Sequence, residues 1–269
     1  MKQENRSFFT AAFTGTFFLL CTVILFSLLY LRPGQLDPEE ALAPASQVER
    51  QQAAYEPTAQ DDLTVLLVAE TQPQRVYLIS RMLVEEGRIQ LYLLPEDLPF
   101  STQGGLTAGE AYDYNGIKNL ALALQQEYDL AIDRWVRVPG DSADEAISLL
   151  GTLRLDLEEP VSFYGPEGEL LGYEAGSYRL RGEQLSQMLA GIRYDDSSSV
   201  LAGGQILQQL LVQKLPQFWQ RGGTELFSRL MDGLESDFSL RDFERCLPAA
   251  KYVLSQEGQP VEFYLISAR

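Results

Sequence analysis

The sequence predicts a layered α/β domain, a mixed central sheet sandwiched between helices, preceded by one transmembrane helix. Three observations predict it. Short apolar runs of strand length alternate along the chain with segments of helical spacing, the pattern of layered α/β folds. Apolar residues make up 45% of 269, with 13 Phe and 13 Tyr, which is material for a full core and excludes wholesale disorder. Residues 8–31 contain no charged side chain, and as a helix those 24 residues span about 36 Å, enough for a hydrocarbon core of about 30 Å.

Lys2 and Arg6 precede that apolar stretch, while Arg32 is soon followed by Asp37, Glu39 and Glu40. The positive-inside rule then puts residues 1–7 in the cytoplasm and everything after the helix outside it. The apolar stretch is too long for the core of a cleaved signal peptide, so an uncleaved anchor is expected. Residues 32–60, with Pro33, Gly34, Pro38, Pro44 and Pro57, read as an extracytoplasmic linker. Residues 61–269 form the domain.

Within the domain, residues 63–69 read as a buried strand, Leu-Thr-Val-Leu-Leu-Val-Ala. Residues 75–80 and 88–94 read as a hairpin turning at Glu85-Glu86-Gly87. A loop covers 95–105, and Ile117, Leu120 and Leu124 give helical spacing to 108–127. Strand 134–138, helix 142–150 and strand 152–157 follow. Residues 158–182 are loop-rich, with a hairpin around Gly165–Gly168. Helices are expected over 182–192, 205–221 and 224–234, with Asp195-Asp196 and three serines as a loop before Gly203-Gly204. That glycine pair reads as a permissive loop, or as a phosphate seat ahead of a helix. Ser239, with Asp242 in the first turn, opens a short helix, and 261–266 is a last strand.

Composition narrows the chemistry. The formal net charge is −17, which argues against a nucleic-acid partner, since such a partner needs a broad basic face. There is no histidine, so Ser-His and Cys-His dyads and His-ligated metals are excluded. Cys21 lies in the apolar stretch and Cys246 in the domain, so no intramolecular disulfide is expected. Gly-rich phosphate loops, the G-x-S-x-G elbow and C-x-x-C are all absent.

A series of segments in order from residue 63 to residue 215 nevertheless resembles one family. Leu66-Leu67-Val68-Ala69-Glu70 looks like a first strand that in the family ends in glycine and aspartate. Leu93-Leu94-Pro95-Glu96-Asp97 stands where the family has Ser-Ile-Pro-Arg-Asp. Ala111-Tyr112-Asp113-Tyr114-Asn115-Gly116 is similar to Ala-Tyr-x-x-Gly-Gly, and Ile132-Asp133-Arg134-Trp135-Val136 to Ile-Asp-x-Tyr-Val. Leu149-Leu150-Gly151 followed by Leu153-Arg154-Leu155, and Leu180-Arg181-Gly182-Glu183-Gln184, complete the series. Together they resemble the LytR-CpsA-Psr (LCP) proteins. The resemblance implies a single-pass extracytoplasmic protein, a mixed sheet between helical layers, and transfer of anionic glycopolymers from polyprenyl-pyrophosphate carriers to peptidoglycan. It also implies a pyrophosphate site built from arginines and a divalent metal.

On that resemblance Asp97 and Arg193 are the candidate catalytic residues. Arg75, Arg81 and Gln205 are candidate ligand-binding residues, and Glu70 with Asp97 the candidate Mg²⁺ ligands, hard carboxylates suiting that ion. Each has a plainer alternative. Arg193 would be a surface arginine paired with Asp195 or Asp196, Glu70 and Asp97 solvated acids, and Tyr112, Tyr114 and Trp135 packing residues. The departures are specific: Glu96 replaces an arginine, Gln74 replaces an acid, one arginine of an Arg-x-Arg pair survives as Arg193, and Gly204-Gln205 replaces Arg-Gln. A pyrophosphate-transfer site needs several cations on the bridging and leaving oxygens. The expectation is therefore a protein that binds polyprenyl-linked anionic glycopolymer or peptidoglycan precursors with impaired or absent phosphotransferase activity. The alternative is a non-catalytic scaffold of the cell envelope, and full glycopolymer transferase activity would require basic residues from elsewhere in the chain, with Arg137, Arg179 and Arg181 as candidates. A cluster of arginines around Asp97 favours precursor binding or transfer, an apolar or acidic pocket there favours the scaffold, and a lipid tunnel lined by helices 108–127 and 205–221 favours precursor binding.

Overall fold

The central strand, β1 (Leu63–Ala69), has the apolar run of a doubly covered strand, and Leu66 and Val68 are fully buried. The computed structural model describes residues 55–220 and 222–266. The expected membrane helix at 8–31 lies outside them. β2 (Val76–Leu83) and β3 (Arg88–Leu94) continue from β1 as antiparallel neighbours, with Leu83 opposite Arg88 at the expected hairpin. Gly87 makes that turn at φ +66°, a left-handed conformation that favours glycine.

Two parallel neighbours make the sheet mixed. β6 (Arg134–Val138) lies beside β1, and β12 (Val261–Leu265) beside β3. The short β11 (Glu235–Ser236) closes the far edge, giving the order β11-β6-β1-β2-β3-β12.

Alternation along the strands divides the core in two. Leu66, Val68, Tyr77 and Ile79 face α1 (Ala108–Tyr128), which buries Ala111, Leu120 and Leu124 against them. Thr107 caps α1 reciprocally with Glu110, the capping box that starts it. The opposite face, with Ile89, Leu91, Leu93 and Val261, is covered by α3 (Gly182–Ala190), α4 (Ser197–Lys214) and α6 (Leu240–Leu254). At the β1–β6 end of that face, Ala143 of α2 (Gly140–Leu149) packs on Val136 and Val138. Under the helices lie the small sheets β7 (Leu153–Leu157) with β10 (Gly176–Leu180), and β8 (Val161–Tyr164) with β9 (Leu170–Tyr173). In the expected 95–105 loop, β4 (Pro99–Phe100) pairs with β5 (Leu106–Thr107). The last helix before β11 is α5 (Gly223–Met231).

Three expectations change. Helix α4 begins at Ser197, with Asp196 as its N-cap accepting from the Ser198 amide, so the serines are a first turn and not a loop. Gly203 and Gly204 are therefore mid-helix and buried, with no phosphate seat at their N–H groups. A Cβ on Gly203 would come within 2.4 Å of Ile192, and one on Gly204 within 2.4 Å of Phe263, so these glycines let the helix close on its neighbours. Since α1 and α4 cover opposite faces of the sheet, no tunnel is lined by both.

Candidate functional site

One end of the sheet collects several of the residues the sequence singled out. β1 runs out at Glu70, whose amide still bonds the Val138 carbonyl of β6. Arg75 precedes β2, and Pro95, Glu96 and Asp97 follow β3. The first turn of α1 is pinned there, because the amide of Gly109 donates to the Glu96 carbonyl at 2.9 Å. A Cβ at Gly109 would meet Glu96 Cγ at 2.8 Å, so glycine permits the approach. Helix α1 then delivers Tyr112 and Asp113 over the strand ends. It breaks immediately afterwards at Asn115 and Gly116, the latter at φ +70°, and Asn119 donates to the Ala111 carbonyl across the break.

Every arginine here is held by acids. Arg137 on β6 makes a two-point contact with Glu70, Nε to Oε1 at 3.0 Å and Nη2 to Oε2 at 2.7 Å, and its Nη1 reaches Glu235 at 2.6 Å. The Tyr112 hydroxyl donates to Glu70 Oε1 at 2.7 Å and accepts from Arg137 Nε at 3.1 Å. Burial pushes the Glu70 carboxyl up, but hydrogen bonds from Arg137 and Tyr112 outweigh it and hold the group below the ordinary range. Arg75 contacts Glu96 at 3.1 Å and Asp113 at 2.8 Å, donates to the Tyr77 hydroxyl at 3.3 Å, and lies 5.2 Å over the Tyr112 ring. Burial pushes the Tyr77 phenol up to about 12, so it is a neutral partner.

Arg193, on the segment between α3 and α4, has the pairing named as its plain alternative. It reaches Asp195 at 3.3 Å, Asp196 at 3.4 Å and the Ser162 hydroxyl at 3.1 Å, and its guanidinium lies 5.6 Å over the Tyr164 ring. That ring forms a wall of a cavity of about 360 Å³, together with Gln74, Glu96, Asp97, Thr107, Ile192 and Tyr194. Gln74 ties two walls by donating to the Ile192 carbonyl at 2.6 Å. The lining contains two carboxylates and no lysine or arginine.

The remaining candidates are elsewhere. Arg81 sits on β2 opposite Thr64 and Gln90, six residues from Arg75, or ~20 Å along the strand. Gln205 is in mid-α4, lining a different hollow with Leu157, Pro160 and Leu201. Arg179 on β10 and Arg181 at the N-cap of α3 are exposed and do not line the cavity. Asp113, Tyr164 and Tyr194 carried no sequence signal as site residues.

Glu70 and Asp97 do not fit a Mg²⁺ site as arranged. Both Glu70 oxygens accept from the Arg137 guanidinium, Asp97 is exposed, and no group of three or more His, Cys, Asp or Glu that could hold a metal occurs among the described residues.

No family model matches the chain, and no curated protein matches it. Solved structures do. A candidate transcription regulator from Eubacterium siraeum superposes with a TM-score of 0.65 at 16% identity, over 80% of this chain and 86% of that one. TagV of B. subtilis gives 0.58 at 14% identity, over 77% and 84%. TagU of B. subtilis gives 0.51 at 13% identity, over 76% and 84%. TagU and TagV are LCP-family proteins, and what this chain shares with them at such identities is the fold.

Proposed function

We propose that this chain is an extracytoplasmic cell-envelope protein in which an LCP-like fold serves as a non-transferring interaction module. The observation that carries the proposal is the occupation of Arg75, Arg137 and Arg193 by Glu96, Asp113, Glu70, Glu235, Asp195 and Asp196, beside a cavity lined by Glu96 and Asp97. A pyrophosphate entering there would have to displace carboxylates from all three guanidiniums while also facing the negative charge of Asp97. The uncharged stretch 8–31 and its basic flank support the extracytoplasmic location. A nucleic-acid role of the kind named for the E. siraeum protein is opposed by the net charge of −17.

A second reading, binding of polyprenyl-pyrophosphate-linked precursors, is favoured by one observation: the Arg193 guanidinium lies 5.6 Å over the ring of Tyr164, a cavity wall. Titration of the full-length chain in mild detergent with a short-chain polyprenyl pyrophosphate, with and without Mg²⁺, separates the two. No saturable binding at millimolar ligand is expected. Micromolar binding that weakens in Arg193→Ala would replace the module reading with the precursor-binding one.

A further inference from the structure

The six-stranded sheet ends on two unlike edges. β11 is two residues long and leaves little backbone open, while β12 is five residues long, with no lysine, proline or bulge to blunt it. The register with β3 turns the N–H and C=O groups of Glu262 and Tyr264 inward, so those of Val261, Phe263 and Leu265 point away from the sheet. Among the described residues only one of those six groups has a partner, the Val261 carbonyl, which accepts from Gln208 Nε2 at 3.0 Å. On the same strand Tyr264 and Leu265 are exposed.

Helix α4 continues this surface. Gly204 packs on Phe263 and Gln208 reaches Val261, so α4 runs antiparallel to β12 and its turn at Leu201 lies level with Leu265. Leu201, Gln205, Gln208 and Val212 share one stripe at helical spacing, with Leu201 62% and Val212 45% exposed. From Ser197 to Gln213 the helix carries no charged residue, and Lys214, its last, is buried. The other long helices differ: α1 carries Glu110, Asp113, Lys118 and Glu127, and α6 carries Arg241, Asp242, Glu244, Arg245 and Lys251. In a chain of net charge −17, an open strand edge beside an uncharged stripe has the character of an interface centre, where charge is depleted.

We infer that a second copy of this chain docks here, β12 antiparallel to β12, with Phe263 on the two-fold axis. Charge selects both the occupant and the register. In this register Phe263 meets Phe263 and Val261 meets Leu265, the pairs that exchange N–H and C=O bonds, so each outward group gains a partner. Glu262 of one copy lies opposite Tyr264 of the other, whose hydroxyl already donates to its own Glu262 at 2.7 Å, so a carboxylate faces a phenol. Centring on Glu262 instead would set two carboxylates against each other. The same axis lays the two α4 stripes side by side. A basic partner finds no acid on that stripe, whereas two copies at −17 each approach with least repulsion where neither presents charge. With α4 about 27 Å long and β12 about 17 Å, a strip of about 500 Å² per copy reaches the ~1,000 Å² in total that a specific interface needs. No residue of the acidic cavity belongs to the strip, so dimerisation is independent of what the cavity binds.

Sedimentation velocity of the full-length chain in density-matched detergent, from about 1 to about 100 µM, tests this. A reversible dimer with a micromolar Kd is expected. Leu265→Pro removes one outward N–H and leaves the bonds to β3, and is expected to raise Kd at least about tenfold with the thermal transition retained. Leu201→Glu, at an exposed position, is expected to do the same at low salt and to recover in part at about 0.5 M salt, which screens the like charges it brings together. A monomer at about 100 µM overturns the inference and leaves the strip to another protein or another segment of this chain. A dimer that neither variant weakens also overturns it, since the contact then lies elsewhere in the chain.

Discussion

Arg137 and Glu70 lie 67 positions apart in the chain and meet because β6 and β1 run parallel, with Val68 beside Arg137. Nothing in the sequence pairs them; each reads alone as a charged residue near a strand end, and only the sheet register makes them partners. The same holds for Arg75, whose acids arrive from the end of β3 and the first turns of α1. The resemblance named Glu70, Asp97 and Arg193 but could not say what each guanidinium would bind. Only Arg193 had its partners visible, two and three residues away. Arg137→Ala leaves Glu70 with the Tyr112 hydroxyl alone. The expected cost is about 1–2 kcal/mol, less than for a fully buried pair because both groups are partly exposed, or a Tm lower by about 2–8 °C. An unchanged Tm would mean that the pair contributes nothing to stability. Acid titration reads the same contacts. Hydrogen bonds from Ser101 and Thr102 lower the exposed Glu127 carboxyl to about 2, and those from Arg137 and Tyr112 lower Glu70. Both folded values lie below the unfolded ones, so the unfolded chain binds more protons as pH falls. Stability is therefore fully present above about pH 5 and lost as pH drops towards about 2. Urea midpoints across that range should fall in the wild type and fall less steeply in Glu127→Gln; equal slopes would show that Glu127 is not a source of the effect.

At the scale of elements, β1 and β3 coincide with their apolar runs, and the Ser239–Asp242 capping box marks the start of α6. That helix is longer than expected because Phe243, Ala249, Ala250 and Val253 continue one buried face past Pro248. The strand β10 was hidden because only Leu180 of its five residues is buried, leaving no periodic signal. Only the start of helix α4 was hidden, by serines, which favour caps and turns. Here Ser199 is fully buried, its hydroxyl accepting from the Arg193 amide, so a tertiary contact overrides the local preference. The break in α1 was invisible because apolar spacing resumes at Ile117 and Leu120. Gly204→Ala separates packing from propensity. Alanine favours a helix by about 1 kcal/mol, but the added Cβ would come within 2.4 Å of the Phe263 ring. Overpacking costs about 1–3 kcal/mol, so a lower Tm is expected, and a higher one would mean that α4 can move off β12.

Taken whole, the chain combines a net charge of −17 with an internal set of cations already spoken for. Self-repulsion on that scale weakens the compact state, and salt relieves it. Raising ionic strength from about 0.01 M to about 0.15 M shortens the Debye length from about 30 Å to about 8 Å, and Tm should rise by about 2–4 °C. A fall would mean that the ion pairs outweigh the net charge. The fold was legible because layering depends on apolar pattern; the state of the site was not, because it depends on which acid meets which arginine across the sheet. The most direct test frees one arginine: polyprenyl pyrophosphate binding to the wild type is compared with that to the double variant Glu96→Gln/Asp113→Asn, whose folding is checked by its thermal transition. No binding to the wild type and measurable binding to the variant is the expected result. Micromolar binding to the wild type, unchanged or weakened in the variant, would contradict the claim that internal ion pairs close the site.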